Sequence, residues 1–249
     1  MDLKLKDKIA FISGSTAGIG FAIAKRFLSE GCRVVINGRT KESVDQAVNE
    51  LKASVENAKI SGIAADFSKV DEVDKLIKQL PEVDILINNA GSIMRMPAAE
   101  HPDEYWDKVL AINLDAPFIL AREMGKQMIA RGSGKIIFTC SLLSFQGGIN
   151  VPGYAASKGA LASLVKALAN EWAGKGVNVN GIAPGYIATD NTEALRNDEE
   201  RSKSILSRIP ANRWGQPEDF KGATIFLASK AGEYVHGTIL TVDGGWMGR

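Results

Sequence analysis

A glycine-rich turn near the start of the chain restricts its possible folds more than any other feature. The apolar run Lys8–Ser13 predicts a short buried strand, and Phe21–Glu30 predicts an amphipathic helix. The turn between them contains three glycines, namely Gly14, Gly18 and Gly20. A strand, a glycine turn and a helix in succession direct free N–H groups towards a pyrophosphate. A turn whose glycines serve only packing is the alternative, and the second predicted strand, Arg33–Ile36, favours the nucleotide site.

The rest of the chain continues this alternation of apolar runs and helical stretches, which indicates βαβ units and a parallel sheet. No Pro/Ser-rich linker, composition break or repeat interrupts the 249 residues, of which 45% are hydrophobic. We therefore predict an α/β fold, with a Rossmann-type doubly wound parallel sheet flanked by helices. One domain is expected to span residues 1–249.

Charge and cysteine usage exclude several classes of protein. The formal net charge of +1 gives no electrostatic reason for binding nucleic acid or a membrane surface. No apolar stretch approaches the roughly 20 residues that span a bilayer, and the first residues, MDLKLKDK, lack the apolar run of a signal peptide. Cys32 and Cys140 lie at strand edges in apolar context, as buried free thiols do in a reducing compartment. A cytoplasmic location is expected.

Metal chemistry has little support in the sequence. His101 and His236 are far apart, and neither has an acidic or histidine partner at ligand spacing. We therefore predict that the chain has no metal site.

Tyr154 and Lys158 carry the strongest chemical signal. Residues four apart share one face of a helix, so the phenol and the ammonium are expected to project side by side. An ammonium beside a phenol stabilises the phenolate, and such a phenol exchanges a proton with an alcohol or a ketone near neutral pH. On its own the pair is also typical of a surface contact. Its position after a nucleotide site and thirteen residues after Ser141 favours catalysis.

Further motifs follow in a fixed order along the chain. They are Asp66 in AADF, Asn88–Gly91 after the predicted strand Val83–Ile87, Asn113 in AINL, Ser141 after the predicted strand Lys135–Thr139, and Pro184–Thr189. Together with the glycine turn and the Tyr154/Lys158 pair, they resemble the short-chain dehydrogenase/reductase family essentially from end to end. Ser13 is a departure, because threonine is usual there, but serine keeps the hydroxyl.

The resemblance implies specific roles for these residues. The catalytic tetrad is expected to be Asn113, Ser141, Tyr154 and Lys158. The cofactor site is expected to comprise Gly14, Ser15, Thr16, Gly18, Ile19, Gly20, Arg39, Asp66, Phe67, Asn89, Ala90, Gly91, Tyr154, Lys158, Pro184, Gly185, Ile187 and Thr189. Tyr154 then exchanges the proton, Lys158 assists it and binds the nicotinamide ribose, Ser141 orients the substrate oxygen, and Asn113 holds a relay water.

The cofactor prediction depends on the end of the second strand. NAD-dependent enzymes place an acidic side chain there, roughly 20 residues after the glycine motif, whereas this chain has Gly38 followed by Arg39. A guanidinium binds a 2′-phosphate by charge-assisted hydrogen bonds. A basic residue within the glycine turn is absent, since that position is Ala17. NADP(H) is therefore favoured, NAD(H) remains possible, and the alternative role for Arg39 is to open the next helix.

The later half of the chain resembles a sugar-acid subgroup of the family, the 2-dehydro-3-deoxy-D-gluconate 5-dehydrogenases. The similar stretches are SLLSFQGGINVP (141–152), NEW (170–172), APGYIATDNTEALR (183–196), RIPANRWG (208–215) and VDGGW (242–246). This resemblance implies a ketone/secondary-alcohol interconversion on a keto sugar acid of the uronate or 2-keto-3-deoxygluconate type. The expected substrate-binding residues are Arg95 for the carboxylate, with Ser141, Gln146, Asn150, Tyr154 and Tyr186 for the oxygens. For Arg95, a solvent-facing loop position is the alternative.

Two other functions stay open at this point. A 3-oxoacyl or general carbonyl reductase shares the catalytic motifs but favours an apolar lid, whereas the segment around 189–213, which we expect to act as a substrate lid, is polar. A nucleotide-binding regulatory protein without turnover usually lacks the tyrosine or the lysine, and this chain has both.

The family resemblance also implies self-association. The helix that carries Tyr154 and the preceding one, about Asp103–Ala130, are expected to pack against their copies through alanine-rich faces, including Ala155, Ala156, Ala160 and Ala162. We expect a homotetramer with two-fold symmetry.

Overall fold

A parallel sheet organises the molecule, whose computed structural model describes residues 2–248. In that range the strands are β1 (Ile9–Ile12), β2 (Arg33–Gly38), β3 (Lys59–Ala64), β4 (Ile85–Asn88), β5 (Gly134–Thr139), β6 (Val177–Pro184) and β7 (Ile239–Val242). They form one sheet in the order β3-β2-β1-β4-β5-β6-β7, and every neighbouring pair is parallel. The prediction of a doubly wound parallel sheet is confirmed.

Helices cover both faces of this sheet. In the described residues they are α1 (Gly18–Ser29), α2 (Lys41–Ser54), α3 (Val70–Gln79), α4 (Asp103–Leu110), α5 (Ala116–Ala130), α6 (Pro152–Trp172), α7 (Glu193–Asn197), α8 (Glu199–Leu206) and α9 (Phe220–Ala228). The core on one face takes its side chains from α1, α2 and α9, and the core on the other takes them from α3, α5 and α6. Both faces of the sheet are thus buried.

The central strand β1 shows why its sequence is apolar throughout. Successive side chains of a strand point to opposite faces, so Phe11 enters one core while Ala10 and Ile12 enter the other. All three are fully buried. Burying a phenylalanine side chain stabilises a fold by about 1.5–3 kcal/mol, and Phe11→Ala is expected to cost about 3–5 kcal/mol because it also leaves a cavity.

The position of the functional cleft follows from the strand order. The chain winds from β1 through β2 to β3 in one direction, then crosses back to place β4 on the other side of β1. Helices therefore leave β1 and β4 towards opposite faces, and a crevice opens at the carboxyl ends of these two strands.

One predicted helix is interrupted in the structure. The stretch Asp103–Ala130 forms α4 and α5 with a π-helical turn, Ala111–Asp115, between them. Pro117 has no N–H to donate to the Asn113 carbonyl, the position four residues earlier, and its ring disfavours a regular turn there. The wider turn carries Asn113, and such turns often occur at functional sites. In residues 2–248 no helix is both long enough and apolar enough to cross a bilayer.

Candidate active site

A cleft of about 510 Å³ opens at the carboxyl ends of the strands. Many residues predicted to bind the cofactor line it, from Arg39, Asp66 and Phe67 at one end to Tyr154 and Lys158 at the other. The others are Gly14, Thr16, Gly18, Ile19, Asn89, Ala90, Gly91, Pro184, Gly185, Ile187 and Thr189. The cleft thus brings into one continuous surface motifs that lie more than a hundred residues apart.

The glycine turn needs its glycines for different reasons. Gly14 has a positive φ of 57°, and a side chain there would place its Cβ 2.7 Å from the Ala90 Cα. At Gly20 a Cβ would lie 2.4 Å from the Gly14 carbonyl oxygen. Gly20 and Ser15 are absent from the cleft lining, because Gly20 packs beneath the turn and the buried Ser15 hydroxyl donates to the Ile12 carbonyl (2.6 Å). Both residues support the turn in this structure, and their contacts with the cofactor stay predictions.

Ser13 and Asn89 join the glycine turn to the centre of the sheet. The Ser13 hydroxyl accepts hydrogen bonds from the backbone N–H groups of Asn89 and Ala90, both at 3.0 Å. The Asn89 amide donates to the carbonyls of Ser13 (3.1 Å) and Gly14 (2.8 Å). Because serine supplies the hydroxyl these bonds require, the departure from threonine at this position leaves the network complete.

The far end of the cleft carries the groups expected to meet the adenosine. Arg39 is exposed at the rim, directly after β2. Burial opposes ionisation of Asp66, but hydrogen bonds from the Ser68 backbone N–H (2.9 Å) and hydroxyl (2.8 Å) outweigh it. The nearby cations Lys69 and Arg39 act in the same direction, so the pKa of Asp66 is lowered. Asp66 is therefore an ionised acceptor at neutral pH.

The catalytic end of the cleft is built from the end of β5 and the first turns of α6. Lys158 is 3% exposed, its Nζ donates to the Thr139 carbonyl (2.6 Å), and it lies 5.6 Å from the centre of the Tyr154 ring. Ser141 and Tyr154 line the cleft beside it. The Ser144 hydroxyl accepts from the Ser141 backbone N–H (3.3 Å) and donates to the Lys158 carbonyl (2.7 Å). Ser144, which sequence reasoning missed, therefore fixes the serine loop to the helix.

Asn113 is fully buried in the π-helical turn and does not line the cleft. Its amide nitrogen donates to the Ser92 carbonyl (2.9 Å) and the Ser157 hydroxyl (3.1 Å), and its oxygen accepts from the Ser92 backbone N–H (2.8 Å). An asparagine amide has two donor hydrogens and two acceptor lone pairs. One lone pair of the side-chain oxygen therefore remains for the predicted relay water.

The residues present fit a dinucleotide. A strand, a glycine turn and the amino terminus of α1 meet at the cleft, and Thr189 lies across from Gly18, where an added Cβ would be 3.5 Å from its methyl group. Gly91 leaves open the space beside the catalytic ammonium, since a Cβ there would lie 3.8 Å from Lys158 Nζ. The family model for short chain dehydrogenases matches residues 8–200.

The chain belongs to the short-chain dehydrogenase family. A 2-dehydro-3-deoxy-D-gluconate 5-dehydrogenase from Pseudoalteromonas atlantica is 57% identical over 250 residues, which cover 98% of each chain. A solved structure from Beutenbergia cavernae, provisionally described as an NAD(P)-dependent gluconate 5-dehydrogenase with bound NADP, has a TM-score of 0.93 at 45% identity and full coverage of both chains. A gluconate 5-dehydrogenase from Burkholderia cenocepacia in complex with NADP and tartrate has a TM-score of 0.92 at 35% identity, over 100% of this chain and 99% of that one.

These findings confirm the predicted family, its resemblance to the sugar-acid subgroup and the predicted class of enzyme. The protein is an oxidoreductase of the short-chain dehydrogenase family that acts on CH–OH groups with a nicotinamide cofactor.

Four residues predicted to bind the substrate of this short-chain dehydrogenase lie outside the cleft lining, namely Arg95, Gln146, Asn150 and Tyr186. Tyr186 instead packs against Trp246 (4.7 Å between ring centres) and Trp214 (5.7 Å). Arg95 is exposed, and its guanidinium contacts the Asn191 carbonyl at 3.4 Å. The Asn150 carbonyl accepts from the Met96 N–H (2.9 Å). The substrate roles of these four side chains stay predictions.

Sequence reasoning also missed part of the cleft of this dehydrogenase. Asn37 and Thr139, near or at the ends of β2 and β5, line it, as do Ile93, Met94, Lys108, Ile112, Cys140, Asp190, Asn191 and Thr192. A positional signal existed for the first two, because ligands of such sheets bind at the carboxyl ends of strands. Nothing local in the sequence marks Lys108 or Met94.

The expected lid segment begins and ends at one point of the fold. The Ala188 N–H donates to the Gly215 carbonyl and the Gly215 N–H donates to the Tyr186 carbonyl, both at 2.9 Å. Between these bonds lie the short turn Asp190–Thr192, α7 and α8. A small apolar cluster supports them, formed by Leu142, Ile205, Ile209 and Trp246 with Tyr186, Leu195 and Trp214 against it. Whether this segment moves as a lid is still a prediction.

The two histidines of this dehydrogenase are apart in the fold as well. The His101 ring contacts that of Tyr105, and His236 contacts the Asn178 amide nitrogen at 3.2 Å. In the described part of the chain, no three His, Cys, Asp or Glu side chains are grouped so that they can hold a metal ion.

Proposed function

We propose that this protein interconverts a ketone and a secondary alcohol on a keto sugar acid, of the 2-keto-3-deoxygluconate or uronate type, with NADP(H) as the favoured cofactor. The observation that carries the proposal is a cation next to the polar part of the cleft lining. Asp190, Asn191 and Thr192 line the cleft, and the exposed Arg95, although off the lining, contacts the Asn191 carbonyl at 3.4 Å. The names of the relatives, which are sugar-acid dehydrogenases, point to the same class of substrate.

The residues around the reacting carbon divide the chemistry between them. Ser141 orients the substrate oxygen and stabilises its developing charge. Tyr154 gives a proton to that oxygen in reduction or takes it in oxidation, and the Lys158 ammonium stabilises the phenolate that results. When bound, the nicotinamide supplies or accepts the hydride.

The NADP(H) preference is supported by Gly38 and Arg39. No side chain at 38 is available to accept from a ribose 2′-hydroxyl, and the Arg39 guanidinium at the cleft rim suits a 2′-phosphate. Arg39→Ala is expected to weaken NADPH binding roughly 10- to 150-fold, as the loss of a charge-assisted bond does, with much less effect on NADH. Measuring kcat/KM for both cofactors tests this, with Arg33→Ala, on the amino end of β2, as a control. An unchanged NADPH/NADH ratio in Arg39→Ala would favour NAD(H).

The proposed substrate class is tested by a panel of substrates. Keto sugar acids and 3-oxoacyl esters are assayed in parallel with NADPH and NADH, and turnover is expected for the acids. Preferred turnover of the esters would support the alternative of a 3-oxoacyl or general carbonyl reductase. Arg95→Gln is expected to raise KM for the acids with little change in kcat, because a guanidinium that holds the carboxylate contributes to binding in ground and transition states alike. Arg196→Gln, which removes a cation that contacts the nearby Thr189 carbonyl, is the matched control.

A further inference from the structure

Gly38, at the end of β2, is packed so tightly against the glycine turn that no space remains for a side chain. A Cβ added to it would lie 2.5 Å from the Thr16 methyl carbon, 3.2 Å from the Thr16 hydroxyl and 3.2 Å from the Ser43 hydroxyl. The first distance is far below van der Waals contact between carbon atoms. Gly38 has an ordinary negative φ, so this contact, rather than the backbone conformation, keeps a side chain out.

The backbone around Thr16 is not free to withdraw from this contact. The Ser15 N–H donates to the Asn37 carbonyl (2.9 Å), and the Asn37 N–H donates to the Ser15 hydroxyl (3.1 Å). The Gly14 N–H also contacts the Asn37 side-chain oxygen (3.3 Å). Asn37 is 2% exposed, and its amide nitrogen reaches the carbonyls of Ile63 (3.1 Å) and Ala65 (3.4 Å). The turn and the end of β2 are thus held together as one unit.

The side chain of Thr16 is equally unable to clear the space. Threonine carries two heavy atoms on Cβ and is stiff about χ1, and both of its γ atoms face the missing Cβ of Gly38. Rotation about χ1 exchanges the atoms that stand there but does not remove both. A serine has one γ atom, which it can turn away.

We infer that the Thr16 methyl group is a determinant of cofactor specificity, because it excludes from position 38 any side chain that could accept from the ribose 2′-hydroxyl. The inference rests on the proposed preference for NADP(H). It assigns the discrimination to two residues: Arg39 attracts the phosphate, while Thr16 blocks the carboxylate that NAD-dependent relatives of this fold use. An aspartate at position 38 therefore requires a smaller side chain at position 16.

The test is a double-mutant cycle of wild type, Thr16→Ser, Gly38→Asp and the double variant. Dissociation constants for NAD⁺ and NADP⁺ are measured by calorimetry on each purified protein, together with the melting temperature. Gly38→Asp alone is expected to weaken NADP⁺ binding by at least about tenfold and to leave NAD⁺ binding without a gain. Thr16→Ser added to it is expected to strengthen NAD⁺ binding about tenfold, a size of coupling typical of residues in contact. Thr40→Ser in the same background is the control, because Thr40 is not among the nearest atoms to that site, and no gain is expected.

A second cycle with Gly38→Ala covers the case in which the aspartate variant fails to fold. Gly38→Ala is expected to lower the melting temperature, and Thr16→Ser is expected to restore part of the loss. The inference is overturned if Gly38→Ala melts like wild type, or if Gly38→Asp alone binds NAD⁺ as tightly as the double variant. If the wild-type protein prefers NAD⁺, the proposed cofactor preference is refuted. The measured coupling between positions 16 and 38 then still shows whether Thr16 excludes a side chain from position 38.

Discussion

Lys158 is a buried cation, and burying a charge destabilises the fold unless the charge is paired or hydrogen-bonded. The Thr139 carbonyl accepts one hydrogen bond from its ammonium, and the adjacent Gly91 leaves the rest of that group open towards the cleft. A side chain that accepted the remaining hydrogen bonds of the ammonium would stabilise the fold, but it would also make the charge unavailable to groups in the cleft. The ammonium therefore keeps few protein contacts and lies beside the phenol that we expect it to assist.

Removal of the Tyr154 hydroxyl tests that arrangement. Tyr154→Phe keeps the ring that contacts Lys158 and loses the proton donor, so turnover is expected to fall about 10²–10⁴-fold while fold and cofactor affinity persist. Steady-state kinetics, circular dichroism and a cofactor titration measure these quantities. Tyr105→Phe, where the ring contacts His101, is the control. More than a tenth of wild-type activity in Tyr154→Phe would contradict the assignment.

The two cysteines give a prediction about reactivity. Burial raises the pKa of the Cys140 thiol to about 11 and that of Cys32 to about 12, and both are 1% exposed. The thiolate is the reactive form, so neither is expected to react with a disulfide reagent at pH 8 in the native protein. Denatured protein is expected to show two thiols. Fast reaction of Cys140 in the native protein would contradict the burial of its thiol after β5, and fast reaction of Cys32 would contradict the burial of its thiol before β2.

The proximity of two site residues was predictable where their spacing in the sequence was local. Tyr154 and Lys158 are four residues apart on a helix, and their proximity follows from helix geometry alone. Tyr186 shows the limit, because the aromatic rings that contact it, Trp214 and Trp246, are contributed by distant parts of the chain. Motif reading located this tyrosine near the site, but only the packing showed which way its ring turns.

Among the elements, the segment between Ala188 and Gly215 is followed by a small group of polar contacts around its carboxyl-terminal end. Arg213 donates to both carboxylate oxygens of Asp219, at 2.7 and 2.9 Å, and the Gln216 N–H donates to the same carboxylate at 2.8 Å. The hydrogen bonds from the Arg213 guanidinium lower the pKa of Asp219. Arg213 and Asp219 thus lie on either side of Gly215, whose hydrogen bonds close the segment.

The lowered pKa predicts how acid affects stability. Ionised Asp219 is favoured in the folded state, so its contribution is present above the unfolded pKa of about 3.9 and is lost as pH falls through the lower folded value. Asp219→Asn is expected to lower the melting temperature by about 2–4 °C at pH 7, or about 1 kcal/mol for a partly exposed pair. As pH falls through the lowered folded pKa of Asp219, the difference from wild type is expected to shrink. Asp74→Asn, on the exposed side of α3, is the control; an equal difference at pH 7 and below that folded pKa would contradict the prediction.

The alternation of strands and helices was readable from sequence because each carries its own periodicity. The interruption between α4 and α5 was missed, although Pro117 marks it, since a proline near the start of a helix usually fits there without disturbance. The segment 189–213 was identified from sequence as a polar lid, but its closure by bonds to Gly215 was not predicted. That closure joins residues 27 and 29 positions apart, and no local pattern signals it.

At the scale of the whole molecule, several large apolar side chains remain on the outside of the chain. Trp106 on α4 and Phe118 on α5 are each 39% exposed, and Phe226 on α9 is 40% exposed. Of the alanines expected to face a partner, Ala162 is buried within the chain at 7% exposure, whereas Ala156 is exposed. Exposed apolar groups on helices suit contact with another chain.

These surfaces lead to a prediction about assembly. The protein is expected to form a homotetramer, with a mass in solution near four times the 26.7 kDa of one chain. Light scattering at micromolar concentration measures this mass directly. Phe118→Glu is expected to reduce it, because a charge placed in an apolar contact destabilises association, while Val70→Glu, at another exposed apolar position, 53% exposed, is the control. A monomeric mass for the wild type would refute the tetramer.

The paired bonds between Tyr186, Ala188 and Gly215 also bear on how such a protein diversifies. A segment whose two ends meet can be replaced as a unit, because changing the residues between the ends leaves the positions of the ends in the fold unchanged. Recombination with a relative can exchange the segment that we expect to face the substrate, while the dinucleotide cleft, assembled on β1, β2 and β4, is inherited intact. New substrates then become accessible without re-evolving the redox machinery.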